Sequence, residues 1–198
     1  MDEIRLDTLL YEAAERQAGY FSARQAQQAG FSKALLSHHV KRGRFLRIRR
    51  GVYRLAQFPE MPHADLTIAW LSAGEKAVLS HESALLLYGL TDLLPAEIHL
   101  TVPRTASRRL PGVRFHVARL TPEEVVRRQG LPLTTLPRTI SDLIRSGVAE
   151  EWVRQAVQQA LARGLVTEAA LEEEARRRGG RVAAQIRAAL GNAHAISE

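Results

Sequence analysis

Two short helices joined by a tight turn at Gly30 set the strongest constraint on how this chain folds. Ser22 and Gln25 have the spacing of a capping box, in which each side chain satisfies the other residue's backbone amide at a helix start. Gly30 permits the left-handed backbone that ends this helix. Ser32 then supplies the N-cap of a second helix, which stops at Gly43. This pattern predicts a helix-turn-helix.

The spacing of apolar residues changes from a helical period to alternation directly after the second helix. In the segment 44–49 apolar side chains alternate with arginines, Arg50 and Gly51 form a turn, and 52–55 returns as a second strand. The alternation predicts that the apolar side chains face inward and the arginines outward. A hairpin in this position predicts a winged helix-turn-helix over residues 1–56.

Positive charge is concentrated in the same part of the chain. Residues 20–56 contain nine basic side chains and neither Asp nor Glu. Residues 1–56 hold 11 basic and 5 acidic side chains, while the whole chain has a formal net charge of +7. Because a solvated face usually mixes both signs, an acid-free face favours a phosphate-lined partner, namely duplex DNA. Some winged helices bind proteins instead, and that alternative stays open here.

The candidate DNA-binding residues lie on the second helix and on the hairpin. Short polar tips such as Ser37 and His38 suit base edges, whereas Arg49 or Arg50 suits phosphates or a minor groove. His39 falls on the buried side of the helix, at the edge of the core. The predicted interface comprises Lys33, Ser37, His38, Lys41, Arg42, Arg44, Arg47, Arg49 and Arg50.

The rest of the chain predicts a second domain. Two prolines favour a linker at 57–62, which leaves 63–198 as the C-terminal domain. The overall expectation is an α+β chain: an N-terminal winged helix-turn-helix plus a C-terminal mixed α/β domain with a small sheet and several helices. The expected helices cover 64–72, 81–88, a helix starting at Thr121, 138–146, 149–163, 168–178 and 181–190, and the expected strands cover 98–102, 113–117 and 131–136.

A basic loop between the first two predicted strands of this domain is a further candidate site. Arg104, Arg108 and Arg109 have few acidic residues near them in the sequence. They predict a secondary DNA contact when two copies occupy adjacent half-sites.

Four segments, in this order, resemble the AbiEi family, the antitoxin-regulators of bacterial abortive-infection toxin–antitoxin operons. They are the wing 45–53, the segment Leu79-Ser80-His81-Glu82-Ser83-Ala84 with 88–91, the strand 98–103, and 133–139 with Asp142-Leu143. The resemblance implies a winged helix that binds operator DNA and a C-terminal domain tied to antitoxin activity. It also implies a nucleotidyltransferase-like toxin as operon partner, which need not be contacted directly, although solitary members exist. The helices of 149–198 carry no motif that we can place.

No residue pattern in the sequence predicts an enzyme. His81-Glu82 starts like a metalloprotease motif, but Leu85 stands where the second histidine is required. No lysine follows Lys76 to complete a restriction-type nuclease core, the aspartates are isolated from one another, and no glycine-rich phosphate loop is present. We therefore expect no catalytic residues, no cofactor and no metal ligands.

The sequence also bears on where the protein acts. Cysteine is absent, which excludes disulfides and cysteine-type zinc sites. The N-terminus does not look like a secretory signal, and no apolar run approaches the roughly 18 residues of a membrane span. These features predict a cytoplasmic protein without a membrane partner.

Three hypotheses follow for function. The first is a sequence-specific repressor that binds a promoter inverted repeat in double-stranded DNA and acts as the autoregulatory antitoxin of a type IV (AbiE-like) toxin–antitoxin system. The second is a stand-alone winged-helix regulator with a sensing or dimerising C-terminal domain. The third, an enzyme with a DNA-targeting head, is disfavoured by the missing catalytic patterns.

Overall fold

The computed structural model describes residues 3–91, 95–103 and 109–194 of the chain, which forms two compact units. The first unit comprises Met1–Ala77, Arg108–Pro111 and Arg127–Leu131, and the second comprises Val78–Ser107, Gly112–Val126 and Pro132–Glu198. Helices and mixed sheets occur together, so the predicted α+β class is confirmed.

The first unit contains the predicted winged helix. Its elements are α1 (Glu3–Glu15), β1 (Tyr20–Ser22), α2 (Ala23–Gln28), α3 (Lys33–Lys41), β2 (Phe45–Arg49), β3 (Val52–Leu55) and α4 (Ala64–Ala73). The sheet has the order β1-β3-β2, and both strand pairs are antiparallel. Strand β1 was not predicted, because three residues are too few to show alternation.

Both predicted helix caps are confirmed. Ser22 Oγ accepts from the Gln25 amide at 3.1 Å while the Gln25 side chain accepts from the Ser22 amide at 2.8 Å. Ser32 Oγ accepts from the Leu35 amide at 3.1 Å and so fixes the start of α3. Side chains of Phe21, Phe31 and other buried apolar residues fill the core beneath these helices. The caps and the core together set the direction of α3.

The first unit extends beyond the wing to Ala77. Helix α4, which the sequence analysis assigned to the second domain, contacts β1 and β3 and buries Leu66 and Trp70. Apolar side chains on α4 therefore contribute to the first unit. The linker role of 57–62 stays a prediction.

Among the described residues, the remaining elements form a second sheet and five α-helices. In chain order they are β4 (Val78–Leu79), α5 (His81–Tyr88), β5 (Ile98–Val102), β6 (Val113–Val117), β7 (Val125–Arg128), β8 (Leu131–Thr134), α6 (Leu136–Ser146), α7 (Glu150–Ala162), α8 (Glu168–Arg178) and α9 (Gly180–His194). The strand order is β6-β5-β4-β8-β7. Strand β4 is antiparallel to β5 and parallel to β8, while β5 and β6 are parallel.

The prediction of a helix that starts at Thr121 is wrong. A single 3-10 turn, Pro122–Glu124, leads directly into β7. The cap itself is present, since the Thr121 amide donates to Glu124 Oε2 at 3.0 Å. Glu124 is also buried, and its Oε1 accepts from Arg138 at 2.9 Å. The β-branched pair Val125-Val126 then favours a strand over a continued helix.

A buried ion-pair network lies in the second unit and involves residues of the fourth family-like segment. Arg138 Nε lies 2.9 Å from both carboxylate oxygens of Asp142, and Arg138 Nη1 lies 2.9 Å from Glu124 Oε1. Glu174 accepts from Ser141 and from Arg178, both at 2.8 Å. Although burial opposes the charged guanidinium, bonding to Asp142 raises the pKa of Arg138, so it stays charged. Arg138 and Asp142 therefore have a structural role.

Candidate nucleic-acid interface and histidine cluster

Helix α3 presents the predicted polar face to solvent. Leu36 and His39 are buried on its inner side. Its outer side exposes the five helix residues of the predicted interface, Lys33, Ser37, His38, Lys41 and Arg42. None of these five residues is acidic, so a phosphate backbone would meet only neutral or positive groups on this face.

The wing carries the predicted arginines but departs from the expected alternation. Arg47 and Arg50 are exposed and Arg49 is half-buried. Leu46 and Ile48, which alternation predicts as inward-facing, are 37% and 38% exposed. The β2–β3 register shifts between Arg47 and Arg49, which is a β-bulge or a similar irregularity, and such a shift breaks the two-residue period. The expected inward orientation of Leu46 and Ile48 is therefore wrong.

Arg44 differs from the other candidate residues because it has protein partners. Its Nη2 lies 2.8 Å from Asp7 Oδ2 on α1, and its Nη1 lies 3.1 Å from Nδ1 of the buried His39. These contacts tie the start of the wing to α1 and α3. A DNA contact by Arg44 stays a prediction, and it would compete with both of these interactions.

The predicted secondary contact is described only in part. Arg104 and Arg108 lie outside the described residues, while Arg109 is exposed. The proposed role of this loop in DNA binding stays a prediction.

The second unit contains a cluster of three histidines that was not predicted from the sequence. His81 at the start of α5, His99 on β5 and His116 on β6 each offer a ring nitrogen, and these nitrogens all lie within 4.8 Å of one another. The His81 and His116 rings stack with centroids 3.6 Å apart, and His116 Nε2 lies 3.2 Å from His99 Nδ1. Such a constellation has the donor types of a metal site.

Polar neighbours hold this cluster in place. His81 Nδ1 lies 2.9 Å from Ser80 Oγ, which also accepts from the Thr101 hydroxyl at 2.9 Å. Glu82 Oε2 lies 3.0 Å from His99 Nδ1. His81 itself has a left-handed backbone, with φ of 52°, which is uncommon for a residue other than glycine and occurs often at functional sites.

The cluster is electrostatically unusual. Burial, together with the neighbouring His116 and His99, lowers the pKa of His81 from 6.5 to about 3. Burial, His99 and Arg114 lower the pKa of His116 to about 4. Burial would raise the pKa of Glu82, but the interaction with His99 outweighs it and lowers this pKa to about 2. Near pH 7 the cluster therefore combines neutral His81 and His116 rings with an ionised carboxylate.

Glu82 also lines a cleft of about 490 Å³ in the second unit. The cleft lies between α5 and α7, and Leu85, Leu143, Ala156 and the half-exposed Trp152 give it a mostly apolar lining. Glu82 is thus shared by the histidine cluster and the lining of the cleft.

The first unit defines the class of protein. Its fold and the basic outer face of α3 are those of a winged helix-turn-helix regulator. Residues 9–56 match the family model described as "Transcriptional regulator, AbiEi antitoxin". The family resemblance is confirmed for this segment, which ends with the wing, and the match supports a DNA-binding regulatory role.

The other comparisons concern the whole chain. No curated protein matches it. The crystal structure of the RV2827C protein from Mycobacterium tuberculosis is similar with a TM-score of 0.55 and 14% sequence identity, covering 98% of this chain and 78% of that one. At this identity the similarity shows a shared fold. Within the described parts of the chain, no helix is long and apolar enough to cross a membrane.

Proposed function

We propose that the protein is a sequence-specific transcriptional repressor that regulates its own promoter as the antitoxin of a type IV toxin–antitoxin system. The observation that carries this proposal is the exposed, acid-free face of α3 within a segment that matches AbiEi transcriptional regulators. Regulators of this shape place such a helix in the major groove. Two copies on adjacent half-sites would then bind a promoter inverted repeat. This binding takes place in the cytoplasm, the location that the sequence predicts.

The side chains of the interface divide into two tasks. Ser37 and His38, at the middle of the exposed face, read base edges. The cations at the ends of α3 and on the wing contact phosphates and set the register, and these are Lys33, Lys41, Arg42, Arg47, Arg49 and Arg50. Arg44 acts mainly by holding the wing to α1 through Asp7.

The second unit acts without catalysis in this proposal. It contributes antitoxin activity or assembly, a nucleotidyltransferase-like toxin is the operon partner, and direct contact with that toxin is not required. Arg104, Arg108 and Arg109 supply a secondary DNA contact. The histidine cluster and its cleft favour a second candidate, a stand-alone regulator whose C-terminal part senses a ligand.

A gel-shift experiment with the full chain tests DNA binding. The probes are the gene's own upstream DNA and a scrambled duplex, each titrated at several salt concentrations. The double variant Lys41→Glu with Arg42→Glu should lose about tenfold or more in affinity and show a smaller salt slope, because neutralised phosphates release counterions. The control Arg119→Glu with Arg181→Glu makes the same charge change at exposed residues of the second unit.

If the interface lies on α3 and the wing, the control variant should bind within about twofold of the parent protein at physiological salt. Equal losses in both double variants would mean that net charge and not α3 determines binding. A cell-based rescue assay with the neighbouring toxin gene, if the operon has one, separates the antitoxin from the stand-alone regulator.

A further inference from the structure

We propose that the second unit contains a binding site for a divalent transition metal of the zinc class, with His81, His99 and His116 as ligands. The three rings come from separate elements: the start of α5, β5 and β6. The parallel pairing of β5 with β6 sets Thr101 opposite His116, so that His116 is diagonal to His99. The antiparallel pairing of β4 with β5 brings the start of α5 to the same place, where the Ser80 amide donates to the His99 carbonyl at 3.1 Å.

The spacing of the ring nitrogens suits one shared ion. Zinc–nitrogen bonds of about 2.0–2.1 Å in a tetrahedral site place two ligand nitrogens roughly 3.3 Å apart. His99 Nδ1 and His116 Nε2 are already 3.2 Å apart. The largest separation among the three ligand atoms is within 4.8 Å. The three nitrogens are therefore close enough to share one ion once the stacked His81 and His116 rings reorient toward it.

Glu82 supplies a candidate fourth ligand. Its Oε2 lies 3.0 Å from His99 Nδ1. This oxygen is buried, yet it receives no well-oriented hydrogen bond from the described residues. A buried carboxylate oxygen without such a bond is costly, and coordination to a cation would satisfy it. Glu82 also lines the cleft.

The surroundings of His81 match those of a metal ligand. Ligating histidines usually donate their second ring N–H to a neighbouring acceptor, which fixes the ring. Ser80 Oγ lies 2.9 Å from His81 Nδ1 and can accept this N–H, which would make Nε2 the ligand atom. Three imidazoles with a carboxylate select zinc, nickel, cobalt or copper over magnesium and calcium, which prefer all-oxygen sites.

The same contacts would also suit a hydrogen-bonded histidine cluster that binds no ion, so the test must separate the two. The full-length protein, purified without a histidine tag and stripped with a chelator, is titrated with Zn²⁺ by calorimetry, with Mg²⁺ as a comparison. We expect one Zn²⁺ per chain and no measurable Mg²⁺ binding. Replacement of Zn²⁺ by Co²⁺ should give the intense visible absorption of a tetrahedral site.

Two variants locate the ion. His116→Gln changes a half-buried residue on the outermost strand of the sheet and should weaken Zn²⁺ binding more than tenfold, while its apo circular dichroism matches the parent. His38→Ala removes an exposed histidine of the first unit and should leave Zn²⁺ affinity unchanged. Zn²⁺ affinity that is unchanged in a folded His116→Gln variant, or the absence of stoichiometric binding in the parent, would overturn the proposal. Neither measurement uses DNA, so the outcome is independent of the proposed repressor function.

Discussion

Arg44 and Asp7 form an ion pair in the first unit, with Arg44 Nη2 2.8 Å from Asp7 Oδ2. The two side chains are 47% and 34% exposed, so water screens much of their attraction. Arg44 Nη1 also lies 3.1 Å from Nδ1 of the buried His39. The first arginine of the wing region is thus oriented toward α1 and α3 by contacts within the protein.

This geometry separates Arg44 from Arg47, although both belong to the basic wing. We expect Arg47→Ala to weaken binding to all duplexes about equally and to reduce the salt slope by roughly one. Arg44→Ala should reduce the salt slope by much less, because its charge is already paired. Fluorescence anisotropy on specific and random duplexes across salt concentrations measures both. A larger slope change for Arg44→Ala than for Arg47→Ala would show that Arg44 leaves Asp7 to bind DNA.

Two serines of the helix-turn-helix provide a matched pair of substitutions. Ser32 Oγ caps α3 through the Leu35 amide, whereas Ser37 is exposed in the middle of α3. Ser32→Ala should lower the free energy of unfolding by about 1 kcal/mol and leave the preference for operator over random DNA unchanged. Ser37→Ala should change stability by less than about 0.5 kcal/mol.

The same Ser37→Ala change should reduce the preference for operator DNA by about 1–3 kcal/mol. Thermal unfolding followed by circular dichroism, and competition binding with random DNA, give the two quantities. If Ser37→Ala lowered specific and random binding by one common factor, Ser37 would not be a base-reading residue.

Local sequence signals predicted the parts of the fold that depend on neighbouring residues. The caps at Ser22 and Ser32 need only a side chain and an amide three residues away, and both are present. Strands 98–102 and 113–117 show clear alternation and occur with those bounds. The helix predicted at Thr121 failed because a long-range contact, Glu124 with Arg138, and a β-branched pair outweigh a good cap.

The histidine cluster shows what local signals cannot reveal. The members of the cluster are far apart in the sequence, and even His99 and His116 are separated by 17 positions. Their proximity depends on the register of β5 with β6 and on the left-handed backbone of His81, and neither feature has a local sequence signature. The metalloprotease motif places a second histidine on the same helix as His81, whereas the partners of His81 lie on β5 and β6.

The turn between α2 and α3 tests how tightly the helix-turn-helix is packed. Gly30 has φ of 101°, and an added Cβ would lie 2.6 Å from Leu6 Cδ2. Gly43, after α3, has φ of 73° and open space around the same position. Gly43→Ala should lower the free energy of unfolding by about 1–2 kcal/mol, because alanine disfavours the left-handed backbone. Gly30→Ala should lower it further, because Leu6 must also move. Chemical denaturation measures both free energies of unfolding. Equal decreases in the two variants would show that Leu6 can move aside without destabilising the protein.

The buried ion-pair network of the second unit is a charged site on which stability should depend strongly. Arg138 and Asp142 are 4% and 5% exposed, and Arg138 also bonds to the buried Glu124. Removing the guanidinium leaves the carboxylates of Asp142 and Glu124 buried with fewer positive partners. Burying these less compensated charges costs more free energy than losing the attraction itself. Arg145, on the same helix α6, is exposed and provides a matched control.

We therefore expect Arg138→Met to lower the free energy of unfolding of the second unit by about 3–5 kcal/mol, while Arg145→Met changes it by less than about 0.5 kcal/mol. Methionine keeps most of the aliphatic volume, so the loss reports the missing charge and hydrogen bonds more than a cavity. Urea denaturation is followed by tryptophan fluorescence in a Trp70→Phe background, so that Trp152 in the second unit is the tryptophan that reports the effect. If both variants unfolded at the parent's midpoint, the network would contribute no net stability. If Arg138→Met unfolded at a higher midpoint, the apolar replacement would be better than the ion pairs, as happens for some buried charge clusters.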